Sequence, residues 1–148
     1  TVGVEIPRLQ VAEYHRPYVA VWIERADNSV ASTLAVWYDL KLKNAEGTKW
    51  LKDMRQWWRR TGRELDLPID GVTSPTRPVG KHTLEFTEGK APLAALPAGN
   101  YKLVVEAARE VGGRELVSIP FTWPAAQATS LQAQGQTELG AITLQVKP

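Results

Sequence analysis

Few residues in this chain are of the types that do chemistry, and their spacing limits what they can do. There is no cysteine, which excludes disulfides, thiolate zinc sites, iron–sulfur clusters and Cys nucleophiles. The two histidines, His15 and His82, lie far apart in sequence. They would form a metal or haem site only if the fold brings them together with carboxylates such as Glu13 or Glu85; otherwise they are surface or strand-end side chains. Glu106 and Glu110 are spaced for one face of a strand, where two carboxylates can work as acid and base. They can equally pair with Arg109, Arg114 or cations of a neighbouring strand. No Gly-x-Ser-x-Gly, Walker loop, dinucleotide fingerprint or His-Glu-x-x-His occurs. With no nucleophile–base pair visible, hydrolase chemistry is the weakest reading.

Two other groupings stand out. Trp50, Met54, Trp57 and Trp58 recur at helical spacing, with Arg55, Arg59 and Arg60 among them. They read either as a lid that buries its rings and solvates its arginines, or as a surface on which Trp50, Trp57, Trp58 and Arg59 grip a partner or stack a flat ring. The second grouping is the loop from Leu67 to Gly80. Three prolines stiffen it, and Thr73, Ser74 and Thr76 offer hydroxyls beside Arg77 and Lys81.

The elements that must position these residues are mostly strands. Val2–Ile6, Tyr18–Glu24, Thr33–Tyr38, His82–Thr87, Tyr101–Glu110, Arg114–Thr122 and Ala141–Val146 carry the period-2 or β-branched pattern of strands. Asp27-Asn28-Ser29 supplies a turn after the second, and Gly112-Gly113 a hairpin turn between the fifth and sixth. One helix is expected at about 48–61, with cations in its last turns and Gly62 just beyond it. The polar stretch Ala125–Gln136 reads as a surface connection. The pattern predicts a mainly β fold: one immunoglobulin-like or fibronectin-like antiparallel sandwich with an inserted helix, formed by residues 1–148 as a single domain.

Composition agrees with that class and narrows partners. The 148 residues are 43% hydrophobic and 23% charged, as expected for a globular chain. Lys plus Arg is 18 against 16 for Asp plus Glu, a net charge of +2. That is too balanced to imply nucleic acid or an anionic membrane as partner. No apolar run approaches the roughly 20 residues of a membrane span, so the chain is not expected to be membrane-embedded.

Several blocks resemble a family of predicted bacterial periplasmic proteins, domain of unknown function 2271, found beside PepSY-domain membrane proteins. They are His15–Glu24, Thr33–Trp37, Trp50–Met54 with Trp57-Trp58-Arg59, Val72–His82, Gly99–Leu103 leading to Glu106–Glu110, and Glu138-Leu139-Gly140. The resemblance implies a secreted, periplasmic protein with its signal peptide cleaved. It also implies an immunoglobulin-like fold and an accessory role in iron uptake or extracytoplasmic electron transfer, with a PepSY-domain membrane reductase as partner. In that family the central loop is similar to Asp-x-x-Thr-Gly-Ala-Thr, the motif on which an FAD-dependent FMN transferase attaches FMN to the last Thr. The matching positions are Asp70, Thr73 and Thr76, with Ser74-Pro75 in place of Gly-Ala. The resemblance therefore implies covalent FMN on Thr76, with Arg77 and Lys81 offsetting the phosphate charge. Left open beside it are a cofactor-free adaptor using the Trp/Arg helix, and a small-ligand or metal carrier using His15 or His82.

Overall fold

The computed structural model describes residues 1–40, 43–110 and 112–148, and for 43–46 the backbone alone. Among the described residues nine strands form two sheets. The first has the order β5-β1-β9-β8 and contains β1 (Val2–Ile6), β5 (Gly80–Leu84), β8 (Thr129–Gln134) and β9 (Ala141–Val146). The second has the order β4-β3-β2-β6-β7 and contains β2 (Tyr18–Arg25), β3 (Val30–Trp37), β4 (Thr73–Ser74), β6 (Gly99–Ala108) and β7 (Arg114–Trp123). All pairs are antiparallel except the short β4, which runs parallel to β3. A mainly β, two-sheet architecture is thus what the sequence pattern predicts.

Three elements differ from expectation, the first being β4, which lies inside the stretch Leu67–Gly80 read as a loop. The stretch Ala125–Gln136, read as a surface connection, contains β8, paired with β9 from Thr129↔Val146 to Gln134↔Ala141. The helix expected at 48–61 is two pieces: a 3-10 helix at Lys43–Asp53 and a six-residue α-helix, α1 (Arg55–Arg60). Met54 between them has a non-helical ψ of 76°. The β6–β7 turn closes through Gly112 N–H to Arg109 O at 3.1 Å and Arg109 N–H to Gly113 O at 3.1 Å. Val111 of that predicted turn lies outside the described residues.

Two apolar cores explain the burial. Inward residues of both sheets, such as Val4, Ile142, Val21, Val105 and Ile119, form the first, between the sheets. The second lies on the other face of β3-β2-β6, where Ala20, Trp22, Val36 and Val104 meet Leu51, Met54 and Trp57. Covering both faces turns β2 into a nearly continuous buried run from Val19 to Glu24 instead of an alternating one. By contrast β7, at the edge of its sheet, alternates exposed and buried along Val117, Ile119 and Phe121.

The helical layer is pinned from the sheet. Met54 gives α1 no side-chain cap, so the first N–H groups need an acceptor from elsewhere. Glu106 of β6 supplies it, accepting from Gln56 N–H at 3.1 Å and Trp57 N–H at 2.8 Å. Arg114 Nε donates to the same carboxylate at 2.5 Å. Near the other end of α1, buried Glu24 accepts from Trp22 Nε1 at 3.1 Å and faces Arg60 Nε at 3.5 Å. Gly47 is a close-approach position, since a Cβ there would lie 1.8 Å from the Asp39 carbonyl oxygen.

Candidate functional site

Strands β1, β3, β4, β6 and β8 finish at one end of the sandwich, where β2, β5, β7 and β9 begin. A cleft of about 250 Å³ opens there, lined by His15, Arg16, Tyr18, Asp39, Trp50, Asp53, Thr76, Ala108 and Glu110. Four residues singled out from the sequence, His15, Trp50, Thr76 and Glu110, meet in it. Tyr18 starts β2, and its hydroxyl donates to the Gly47 carbonyl at 2.8 Å, which ties the 3-10 helix to the sheet. Burial, with carboxylates Asp39 and Glu110 nearby, pushes the Tyr18 phenol above its ordinary pKa, so it stays a donor.

The loop that brings Thr76 to the cleft is held by β4. Val36 N–H donates to Val72 O at 2.9 Å and Tyr38 N–H to Ser74 O at 3.1 Å. Asn28 is the one non-glycine residue with positive φ among the described residues. Ser74 and Pro75 therefore replace Gly-Ala without strain, because this backbone does not enter the left-handed region that favours glycine. The three hydroxyls have different fates. Thr73 Oγ1 donates to Ile69 O and accepts from Ile69 N–H, both at 3.1 Å. Ser74 Oγ accepts from Arg77 Nη2 at 3.2 Å. Thr76 is half-buried at the cleft wall, and its hydroxyl has no hydrogen-bond partner among the described residues.

The other candidates sit elsewhere. Asp70 is exposed beside Gly71, whose φ is 78°, and does not line the cleft. Arg77 stacks its guanidinium 5.1 Å from the Trp37 ring centroid, so the loop's own cation is engaged under the loop. Trp57 is fully buried and presents no ring to solvent, whereas Trp50 is 42% exposed. Trp58 is half-buried, tilted against Trp57 with centroids 6.4 Å apart, and Arg59 is exposed.

His15 and His82 have separate partners. His15 Nε2 lies 3.1 Å from Glu13 and its Nδ1 3.6 Å from Glu110, so its two nitrogens address two different carboxylates. His82 Nε2 lies 2.8 Å from the Pro78 carbonyl, its ring edge-on to Trp37. No cluster of three or more His, Asp or Glu suited to a metal ion occurs among the described residues. Nor do Glu106 and Glu110 act together: Glu106 is sealed under α1, while Glu110 is exposed beyond the end of β6.

The model of the family described as "Predicted periplasmic protein (DUF2271)" matches residues 1–141. This chain belongs to the DUF2271 family. DUF2271 proteins are predicted to be periplasmic, and that is the location of this one. No helix among the described residues is long and apolar enough to cross a membrane. No curated protein and no solved structure matches the chain. Within this DUF2271 protein, sequence reasoning missed Arg16, Tyr18, Asp39 and Asp53. Nothing local marks them, since they reach the cleft from the segment before β2, from β2, from the segment after β3 and from the 3-10 helix.

Proposed function

We propose that this periplasmic protein carries FMN covalently on Thr76 and passes electrons as an accessory to a membrane reductase, in an iron-uptake or extracytoplasmic electron-transfer system. One observation carries the reading: among the described residues, Thr73 and Ser74 of the loop have hydrogen-bond partners for their hydroxyls and Thr76 has none, and Thr76 lines a cleft beside an exposed Trp50. Thr76 supplies the attachment point, and Arg77 and Lys81, expected to offset the phosphate, do not line the cleft. A cleft of about 250 Å³ is smaller than the roughly 300–1,000 Å³ that encloses a drug-sized ligand, so it would enclose only part of an attached flavin and leave the rest open to a partner. Among the described lining residues Arg16 is the arginine that would pair with the phosphodiester, and it does so in the presence of Asp39, Asp53 and Glu110.

Attachment is a phosphoryl-group transfer. The Thr76 oxygen forms a bond to the FMN-side phosphorus of FAD, the pyrophosphate bond breaks, AMP leaves, and the hydroxyl proton goes to a base of the transferase. The flavin supplies the redox chemistry, and the protein supplies attachment, placement and electrostatics. Expression with an active FMN transferase, read by intact mass and visible spectrum, is expected to show one FMN per chain. Thr76→Ala abolishes the addition, and Thr73→Ala and Ser74→Ala retain it. An unmodified mass beside a transferase that modifies its own known target overturns the reading.

A second reading, a cofactor-free adaptor, rests on the exposed cations Lys49, Lys52, Arg55, Arg59 and Arg63 of the helical layer together with exposed Trp50. It expects a colourless protein whose partner binding is lost on Trp50→Ala or Arg59→Glu.

A further inference from the structure

A net charge of +2 for the whole chain predicts no attraction to an anionic membrane, but the charges are not spread evenly. Residues 49–63 carry six cations, Lys49, Lys52, Arg55, Arg59, Arg60 and Arg63, against one acid, Asp53. That segment is therefore +5 and the rest of the chain −3. The fold turns its charge to one side. Leu51, Met54 and Trp57 are buried against β2, β3 and β6, and the residues between them face solvent. Lys49, Trp50, Lys52, Arg55, Arg59 and Arg63 are exposed, and Trp58 is half-buried.

The acids nearest these cations are already engaged. Glu106 caps α1 and holds Arg114, Glu24 accepts from Trp22 and faces Arg60, and Asp53 lines the cleft. The side chains of Lys49, Lys52, Arg55, Arg59 and Arg63 have no hydrogen-bond or ion-pair partner among the described residues. Arg55 and Arg59 even stand one turn apart on α1, a like-charge spacing that weakens a helix. Apolar side chains share the face. Trp50 is 42% exposed and Leu116 36%, and Leu116 pairs with Glu106, so it stands on the same face of the sheet as α1.

This chemistry suits a lipid surface better than a protein. A protein partner holds Arg through carboxylates at fixed positions, in bidentate geometry. A fluid layer of anionic headgroups needs only sign and density, and each Lys or Arg adds to the attraction. Five cations with no partner to fix their direction offer density without geometry. Their stems cover apolar surface while their heads reach phosphates, and a Trp ring is at home at headgroup level. The periplasm, where this protein resides, is bounded by membranes.

We propose that the outer face of the helical layer docks the protein on an anionic phospholipid bilayer, with the five cations at the phosphates and Trp50 among the headgroups. The proposal rests on the surface of the adaptor reading, whose partner it names, and is independent of Thr76. The full chain, made without the transferase, is sedimented with vesicles of phosphatidylglycerol and phosphatidylcholine, and with phosphatidylcholine alone. Binding about tenfold or more stronger to the anionic vesicles, and lost as salt rises from about 0.05 to about 0.5 M, is expected. Arg55→Glu with Arg59→Glu weakens it at least about tenfold. Lys90→Glu with Lys147→Glu makes the same change in net charge at exposed positions outside the layer and leaves binding within about twofold. Thermal melting followed by circular dichroism checks that each pair folds; should the arginine pair not fold, Lys49→Gln with Lys52→Gln takes its place and is expected to weaken binding severalfold. No preference for anionic vesicles, or equal loss from the pairs inside and outside the layer, overturns the proposal. Binding confined to native membranes and removed by protease assigns the face to an acidic protein; it overturns the lipid proposal and leaves the adaptor reading standing.

Discussion

At Glu106 the chain places a carboxylate at 0% exposure, an arrangement that survives only when the charge is paired and hydrogen-bonded. Two N–H groups of α1 and the Arg114 guanidinium provide those partners. Removing the carboxylate leaves both helix N–H groups without an acceptor, while Arg114, its side chain 37% exposed, turns to water. Glu106→Ala is therefore expected to destabilise by about 2–4 kcal/mol in urea unfolding. Glu106→Gln keeps one carbonyl acceptor and is expected to lose about 1–3 kcal/mol. Equal losses for the two would mean that the charge, and not the capping, matters. From sequence, Glu106 is legible as a strand residue that pairs with Arg114, but not as a cap, because its helix lies fifty positions earlier and is brought to it by the fold. Thr76, Trp50, His15 and Glu110 were legible as individuals. Their meeting in one cleft was not, because Arg16, Tyr18, Asp39 and Asp53 complete it from separate parts of the chain.

Elements show where local pattern and tertiary context part. The Trp50, Met54, Trp57 spacing predicts one continuous helix, yet the chain breaks at Met54. Gly47 packs on the Asp39 carbonyl, and Glu106 captures the N–H groups just past Met54, so contacts to the sheet set the two segments separately. Strand β8 escaped notice because Leu131 and Ala133 are its only apolar residues, too few for alternation to register. What fixes the end of β8 is again a single carboxylate. Glu115 of β7 accepts from the backbone N–H groups of Gln136, Thr137, Glu138 and Leu139 at 2.7 to 3.1 Å. Burial would raise its carboxyl pKa, but the four donors outweigh it and hold the pKa below the ordinary glutamate value. A depressed carboxylate contributes stability that is present above its unfolded pKa and lost as pH falls through the lower, folded one. Wild-type stability should therefore drop as the medium is acidified through and below the normal glutamate range. Glu115→Gln should be less stable at pH 7, with a gap to wild type that narrows in acid, measured as urea midpoints across pH. A gap that stays constant down to the lowest pH would remove Glu115 as the clamp.

On the scale of the whole molecule, β2 and β6 bind the two cores into one unit. Val19, Val21 and Ile23 of β2 point between the sheets, while Ala20 and Trp22 point under the helical layer; Val105 and Val104 of β6 divide in the same way. The layer cannot leave without exposing Trp22 and Val104, and the sheets cannot separate without removing the floor on which Met54 and Trp57 rest. Cooperativity between the cores follows from the alternation of side chains across a strand covered on both faces. Met54→Ala, in the helical core, and Ile142→Ala, between the sheets, are each expected to remove about 2–5 kcal/mol. Both should do so from the same single transition. Tryptophan fluorescence reports mainly on the helical side, since Trp22, Trp50, Trp57 and Trp58 lie in or against that layer, while far-UV circular dichroism reports on the strands. Coincident urea curves for both probes in wild type and in both variants are the expected result. A fluorescence transition that precedes the dichroism in Met54→Ala would mean that the layer melts alone. The cleft would then be built on a part of the protein that opens independently, because Trp50 and Asp53 reach it from the 3-10 helix.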